Sequence, residues 1–438
     1  MGVLPDLQGH LQAGARGCRY AAGRVRADRG AVGALIRVPS GSVIRTSNQE
    51  RLGRGAGRCP HSAKRRLTPS SKETRTVPAS PLITVVVPAY NAEDCLGRCL
   101  SSLVAADGGR DELEVIVVDD GATDSTGALA DAYARAHTAI EVIHQENKGH
   151  GGAINTGVAA ARGTWLKVCD ADDAIDPGTL RALLASLRSW REAGTEPDLV
   201  VTNFVYVREG TPAWYRLSHG PARRGPRGVR PGRHVVRFRG ILPAGRIGSW
   251  RDVRSFRPDQ YLMMHSLAYR REVLEHSGMR LPEHCFYVDN LFAFEPLRHV
   301  RTLTYLDLDL YYYTVGRAGQ SVADDVIVAR LDQHDRVNAL MLEAMPREGE
   351  VPVSLLHYLV HIYTLSAVVI TTMALRSGTP QNLAIKQRLW ERLDATRPDV
   401  ARWVRGSVMG RLMTLPGRTG RWVTVAGYQV VRRVLALN

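Results

Sequence analysis

No two cysteines of this chain stand in a C-x-x-C pair. The six are Cys18, Cys59, Cys95, Cys99, Cys169 and Cys285. Their spacing suggests neither a zinc site nor a dithiol redox motif, and it suits a reducing cytoplasm. Also missing is G-x-x-x-x-G-K-[ST], the loop whose backbone amides wrap nucleotide phosphates. No G-x-G-x-x-G follows the first strand-like run, which disfavours a dinucleotide fold. The N-terminus lacks the continuous apolar stretch of a secretory signal, because Ala31 to Val38 is short and interrupted by Arg37. Acid is scarce in three places. Residues 1–80 hold 15 Lys and Arg against 4 Asp and Glu, residues 208–258 hold 13 Arg against 2, and residues 401–438 hold 7 Arg and no acid. The net charge of +15 therefore lies in a leader, an internal loop region and a tail, while the remainder is acidic. No aromatic-interleaved basic stripe accompanies these arginines, so nucleic acid is not expected as a partner.

What is present begins at Leu82. Leu82 to Pro88 is a β-branched run closed by proline and reads as a buried strand. Glu93 to Val104 carries apolar residues at helical spacing. Strands are expected at Glu114–Asp120, Ile140–Ile143 and Trp165–Cys169, with helices at Ser125–His137, Gly151–Arg162 and Gly178–Trp190. Asp198–Val207 and residues 300–313 read as later strands, and residues 259–275 as a mixed segment. From Ala323 onward the pattern is helical. Strands alternating with helices predict a mostly parallel sheet covered on both faces. The expected divisions are a basic disordered leader (1–80, whether or not native), an α/β domain (81–325) and a helical region (326–438). The uncharged run Val353–Leu375 is 23 residues long, enough to cross a bilayer, but its stripe of Leu355, Leu359, Ile362, Ser366, Val369 and Met373 favours a buried helix. Residues 418–437 form a basic amphipathic helix that either packs as a terminal helix or lies on an anionic membrane surface.

In an open parallel sheet, ligands bind beyond the carboxyl ends of the strands. Those ends here carry Pro88-Ala89-Tyr90-Asn91, Asp119-Asp120 and Asp170-Ala171-Asp172-Asp173. A carboxylate after the second strand can accept from a ribose hydroxyl or a base N–H. The cluster after the fourth has another use. Carboxylates beside a nucleoside diphosphate repel it unless a divalent cation lies between them, and Mn²⁺ or Mg²⁺ takes such oxygen ligands.

Four blocks in order now carry a resemblance: Val85–Asn91, Val117–Thr126, Asn147–Gly157 and Asp170–Asp173. The sequence resembles the family 2 glycosyltransferases of GT-A fold, with one departure at Ala122, where that family usually has serine. The resemblance implies a Rossmann-like nucleotide-sugar-binding domain and inverting transfer from a nucleotide-sugar, with UDP-sugar the donor class. It places Asp119 and Asp120 on the nucleoside and Asp170 and Asp172 at the metal and diphosphate. Pro88, Tyr90, Asn91, Lys148, Gly149 and Asn155 join the donor site. Inverting transfer needs a base for the acceptor hydroxyl. Phe286-Tyr287-Val288-Asp289-Asn290 stands where the family usually supplies a Glu-Asp pair, so Val288 replaces the Glu and Asp289 is the candidate base, with Glu295 in reserve. Phe256–Ser266 and Val315–Val322 resemble a bacterial branch of the family. From them, Arg317 is expected on phosphate, and His265 and Gln320 near the acceptor. The implied acceptor is a glycan or lipid-linked glycoconjugate of the cell surface, and the implied location is cytoplasmic, at the inner face of the membrane. Two rival readings are a nucleotidyltransferase and a non-catalytic nucleotide-sugar-binding protein. The first needs a basic loop after the first strand, where Ala89–Glu93 has neither Lys nor Arg.

Overall fold

The structure is a computed structural model and describes residues 80–209, 234–257, 260–316 and 324–413, together with Gly417 and Thr424. All of these fall in one compact unit, residues 74–438. The leader, Arg317, Gln320 and the basic helix expected over 418–437 lie outside the described residues.

Strand β1 (Ile83–Ala89) is buried along its whole length, as a β-branched run must be when helices cover both faces of a sheet. It pairs in parallel with β2 (Leu113–Asp119) on one side and with β4 (Trp165–Val168) on the other, and β2 continues to β3 (Ile140–His144). Four further strands complete the path: β5 (Ala174–Ile175), β6 (Leu199–Arg208), β8 (Leu267–Arg270) and β9 (Leu303–Val315). Strand β7 (His234–Val236) pairs with β6 off that path. Among the described residues the sheet runs β3-β2-β1-β4-β8-β6-β9-β5. The chain leaves β1 in one direction to β2 and β3, then returns to β1's other side as β4. That reversal opens a crevice at the carboxyl ends of β1 and β4. β8 runs antiparallel to both β4 and β6, so the sheet is mixed, as the expectation of a mostly parallel sheet allows.

Helices α1 (Leu96–Val104), α2 (Thr126–Ala136), α3 (Gly149–Ala160) and α4 (Pro177–Ala193) fall within a few residues of their expected places. α1 buries Leu96, Cys99, Leu100 and Leu103, spaced three and four apart. Each full leucine burial contributes roughly 1.5–3 kcal/mol. α4 starts and stops where its sequence says. The Asp176 carboxylate accepts from the Thr179 amide, proline occupies the first turn, and Gly194 closes the helix at φ 63°.

Past the sheet come α5 (Arg271–Ser277), α6 (Asp289–Phe292), α7 (Asp324–Ala329), α8 (Leu331–Glu343), α9 (Val353–Ser377) and α10 (Pro380–Thr396). α9 is long and apolar enough to cross a membrane. Most of it is nonetheless buried, including Leu355, Leu359, Ile362, Ser366 and Met373 of the expected stripe. One hydrophobic core runs without interruption from Leu82 in the sheet to Met413 in the last described helix.

Candidate functional site

The register of the parallel strands assembles the site. Ala89 lies beside Asp119, and Asp119 beside His144. β4 ends opposite Val86, so Cys169 and Asp170 emerge at the same edge. Tyr90 is exposed there, and Asn91 adopts φ 47°, a turn conformation asparagine tolerates. The Asn91 Oδ1 accepts from the Thr123 amide at 2.8 Å, tying the β1 loop to the β2 loop.

Asp119 and Asp120 are both buried, and each already has protein partners. Asp119 accepts from the Ala122 amide at 3.0 Å and pairs with His144 Nδ1 at 2.8 Å. His144 also meets Asp131. Its pKa is raised, chiefly by the Asp119 hydrogen bond against the cost of burial. Asp120 Oδ1 accepts from Gln145 Nε2 at 2.6 Å and from the Lys148 amide at 2.8 Å. The pair therefore holds the β3–α3 connection against β2 at one end of the crevice.

The second acidic cluster divides. Asp173 turns inward and is fully buried. Its carboxylate accepts from Tyr311 Oη at 2.6 Å and from the Thr314 amide at 2.7 Å. Burial, with the fields of Asp172 and Asp170, pushes it well above the ordinary carboxylate range. Asp170 and Asp172 stay partly exposed. Asp170 Oδ1 lies 3.0 Å from His150 Nε2, and His150 is 39% exposed at the mouth of the crevice. Burial opposes the charging of His150. The Asp170 hydrogen bond and the fields of Asp170, Asp289 and Asp172 outweigh it and raise its pKa. For Asp170, burial is likewise outweighed, chiefly by the hydrogen bond and charge of His150, and its pKa is lowered. Among the described residues, no three His, Cys, Asp or Glu side chains form a ready cage for a metal. Two carboxylates at one sheet edge are instead a donor set that Mg²⁺ or Mn²⁺ takes where phosphate oxygens complete the shell.

Asp289, the first residue of α6, joins this group from far along the chain. Burial raises its pKa, opposed by His150 and reinforced by Asp170, so it shares the field of the crevice. Val288 beside it is wholly buried and packs into the core. Glu295 is raised by burial with Arg298 as its opposing charge, so its electrical neighbour is not the acidic cluster.

The route that brings Asp289 here depends on the glycines of α3. Residues 281–284 cross the first turn of that helix. A Cβ on Gly151 would meet the Pro282 oxygen at 2.5 Å, and one on Gly149 the His284 nitrogen at 2.8 Å. His284 N donates to the Lys148 oxygen at 2.9 Å. Asn155 fastens the crossing twice: its Nδ2 donates to the Leu281 oxygen at 2.8 Å, and its Oδ1 accepts from the Leu281 amide at 3.0 Å. Asn155 and Gly149, expected on the nucleotide-sugar, thus have an identifiable structural duty. The Lys148 side chain is exposed beside the same turn.

His265, expected to line an acceptor pocket, lies instead in the core. Its ring stacks on Tyr311 and Tyr313 with centroids 5.0 and 4.8 Å away, and neither ring nitrogen has a hydrogen-bond partner. Burial depresses its pKa to about 4. Apolar and aromatic neighbours on β6 and β9 bury the residue, a non-local placement that its local sequence does not show. Sequence reasoning also passed over three contributors. One is His150. Another is Arg98 on α1, whose guanidinium donates to the Asp172 oxygen. The third is Lys167, fully buried, which donates to the His265 oxygen and is pushed down to about 7 by burial against the fields of Cys169 and Asp170. His150 sits inside the glycine-rich block, where a histidine among glycines is itself a signal.

An open sheet with a switch point between β1 and β4, carrying acidic groups on that edge, defines an α/β domain of the kind that binds ligands beyond its strand ends. Residues 84–276 match the family described as Glycosyl transferase family 2. Residues 84–276 form a family 2 glycosyltransferase domain, and the fold is GT-A-like. It is 29% identical over 243 residues to the putative glycosyltransferase EpsH of Bacillus subtilis (strain 168), covering 54% of this chain and 61% of that protein. It is 40% identical over 104 residues to the succinoglycan biosynthesis protein ExoO of Rhizobium meliloti (strain 1021), covering 24% of this chain and 29% of the relative. The chain thus spans less than two thirds of either. Among solved structures, S. aureus TarS 1–349 in complex with UDP-GlcNAc superposes with a TM-score of 0.54 at 20% identity, over 80% of this chain and 90% of that one. That likeness is one of fold.

Proposed function

We propose that the protein is an inverting glycosyltransferase that moves a sugar from a UDP-sugar to an acceptor hydroxyl during synthesis of a surface polysaccharide or other glycoconjugate. The observation that carries this reading is the pairing of Asp170 with His150 at 3.0 Å beyond the end of β4, with Asp172 and Asp289 acting on the same histidine through their charge. EpsH and ExoO support the pathway class by their descriptions, and the bound donor of TarS supports the choice of a UDP-sugar.

In this reading Asp289 takes the proton of the acceptor hydroxyl. The acceptor oxygen attacks the sugar C1 from the face opposite the diphosphate, and the C1–O bond breaks with its electron pair leaving on the nucleoside diphosphate. A carboxylate raised by burial is a stronger base than an exposed one, which suits that task. Asp170 and Asp172 are the residues that would hold Mn²⁺ or Mg²⁺, and such an ion supplies neutralisation of the leaving diphosphate. His150, with its raised pKa, adds positive charge at the same mouth. Asp119 and Asp120 order the loop on which the nucleoside rests. A nucleotidyltransferase reading is not supported, because the loop after β1 offers no cation.

The test is release of sugar from a panel of UDP-sugars. Asp289→Asn is expected to lower kcat by about 10²–10⁴-fold while UDP binds as before. Wild-type kcat in Asp289→Asn would remove the base assignment.

A further inference from the structure

Asp289 follows a short segment whose backbone is unusual. His284 and Tyr287 have φ of 48° and 67°, a left-handed region that histidine tolerates and tyrosine rarely occupies. Residues 284–288 are not secured by a strand. They are gripped from one side by the start of α8. The Arg330 guanidinium lies 3.5 Å from the centre of the Phe286 ring. The Gln333 Oε1 accepts from the Phe286 amide at 2.9 Å. His334 stacks on Tyr287 with ring centroids 4.4 Å apart and planes 23° from parallel. His334 is itself braced, since its Nε2 lies 3.3 Å from Ser366 Oγ on α9. Tyr287 in turn caps the first turn of α6, its oxygen accepting from the backbone and the side-chain amide of Asn290, each at 3.1 Å. A continuous line of contacts therefore runs from the long buried helix α9 through His334 and Tyr287 to the turn that carries Asp289.

We propose that Arg330, Gln333 and His334 are positioning residues that hold the Asp289 loop against the crevice, so that the helical region completes the active site. The family-matched segment ends at residue 276, so both Asp289 and its support lie beyond it. The stack needs a flat ring rather than a charge. His334 is buried, and burial pushes its pKa down to about 4, so it is neutral under ordinary conditions. A phenylalanine should then serve where alanine does not. This inference rests on reading Asp289 as the base.

The experiment uses the full chain with His334→Ala, His334→Phe and Gln333→Ala. One readout is chymotrypsin cleavage in the Phe286–Tyr287 segment, followed by mass spectrometry. The other is hydrolysis of whichever UDP-sugar of the panel the wild type cleaves fastest. His334→Ala is expected to speed cleavage of the segment severalfold and to lower kcat at least tenfold, with the donor KM within twofold of wild type. His334→Phe is expected to restore both. If His334→Ala fails to fold, Gln333→Ala decides by the same two readouts. Wild-type kcat with an unchanged cleavage pattern in His334→Ala overturns the proposal, as does equal loss in His334→Ala and His334→Phe. Should Asp289→Asn prove fully active, the base reading falls, and the cleavage readout alone decides whether α8 holds the loop.

Discussion

Asp170, Asp172 and Asp173 stand within four positions of one another, yet the fold gives them different work. Asp173 accepts two hydrogen bonds from β9 and locks the cluster to the sheet. Asp170 meets His150, and the backbone oxygen of Asp172 accepts from Arg98. The same sorting separates Asn155 from the donor residues with which its block first grouped it. Asn155→Ala removes both bonds to Leu281 and is expected to cost about 1–3 kcal/mol, since it leaves backbone groups unpaired. Urea denaturation reads the cost. Loss of sugar release without loss of UDP binding would show that the crossing segment matters through Asp289. Unchanged stability would show that the two bonds are replaced by water.

Among elements, α3 decides how the two halves of the site meet. Its glycines give clearance. A Cβ on Gly157 would sit 2.2 Å from Val86 Cγ1 on β1, and one on Gly151 would meet the Pro282 oxygen. Gly157→Ala is expected to destabilise the fold by about 1–3 kcal/mol, because β1 is packed on both faces and cannot yield. Gly151→Ala should displace the 281–284 crossing and lower sugar release more than it lowers the thermal midpoint. Differential scanning fluorimetry beside the release assay separates the two. The strands were legible because β-branched runs ending in carboxylates are strong local signals, and β1, β2 and β4 carry them. The helices α1 to α4 were legible from spacing and caps. The two-residue β5 and the short β8 carry no such pattern, since their pairing comes from β9, β4 and β6. For the site, the acidic strand ends were readable, but the approach of Asp289 to His150 was not. It arises from a crossing of residues 281–284 over α3, and sequence spacing does not encode which segments cross. His265 went astray for the same reason: its cage of aromatic rings is assembled from β6 and β9.

At the scale of the whole molecule, buried histidines set the response to pH. His265 and His334 are both held near pKa 4 by burial, although Lys167 also lowers His265 and Asp170 raises it. In the unfolded chain each takes a proton near pH 6.5. Their folded values are depressed, so stability is complete above about pH 6.5 and falls as the pH drops toward 4. The slope is about 1.4 kcal/mol per pH unit for each proton. His144 and His150 act with the opposite sign. Their folded values are raised, so their pairings stabilise fully below about pH 6.5 and fade as the pH rises past those values. Stability is expected to fall with acid below about pH 6.5, and His334→Phe should make that fall shallower. Urea midpoints across pH 5 to 8 give the curve, and a flat acid limb in wild type would contradict it. The central claim is that a nucleotide-sugar is cleaved at the edge that carries Asp170 and Asp172, with Asp289 in the field of Asp170. Sugar release from UDP-sugars with Mn²⁺ or with chelator, in wild type and Asp172→Ala, tests it most directly. The account predicts release that requires the ion and falls by about two powers of ten or more in the variant. Equal release from both proteins would contradict it.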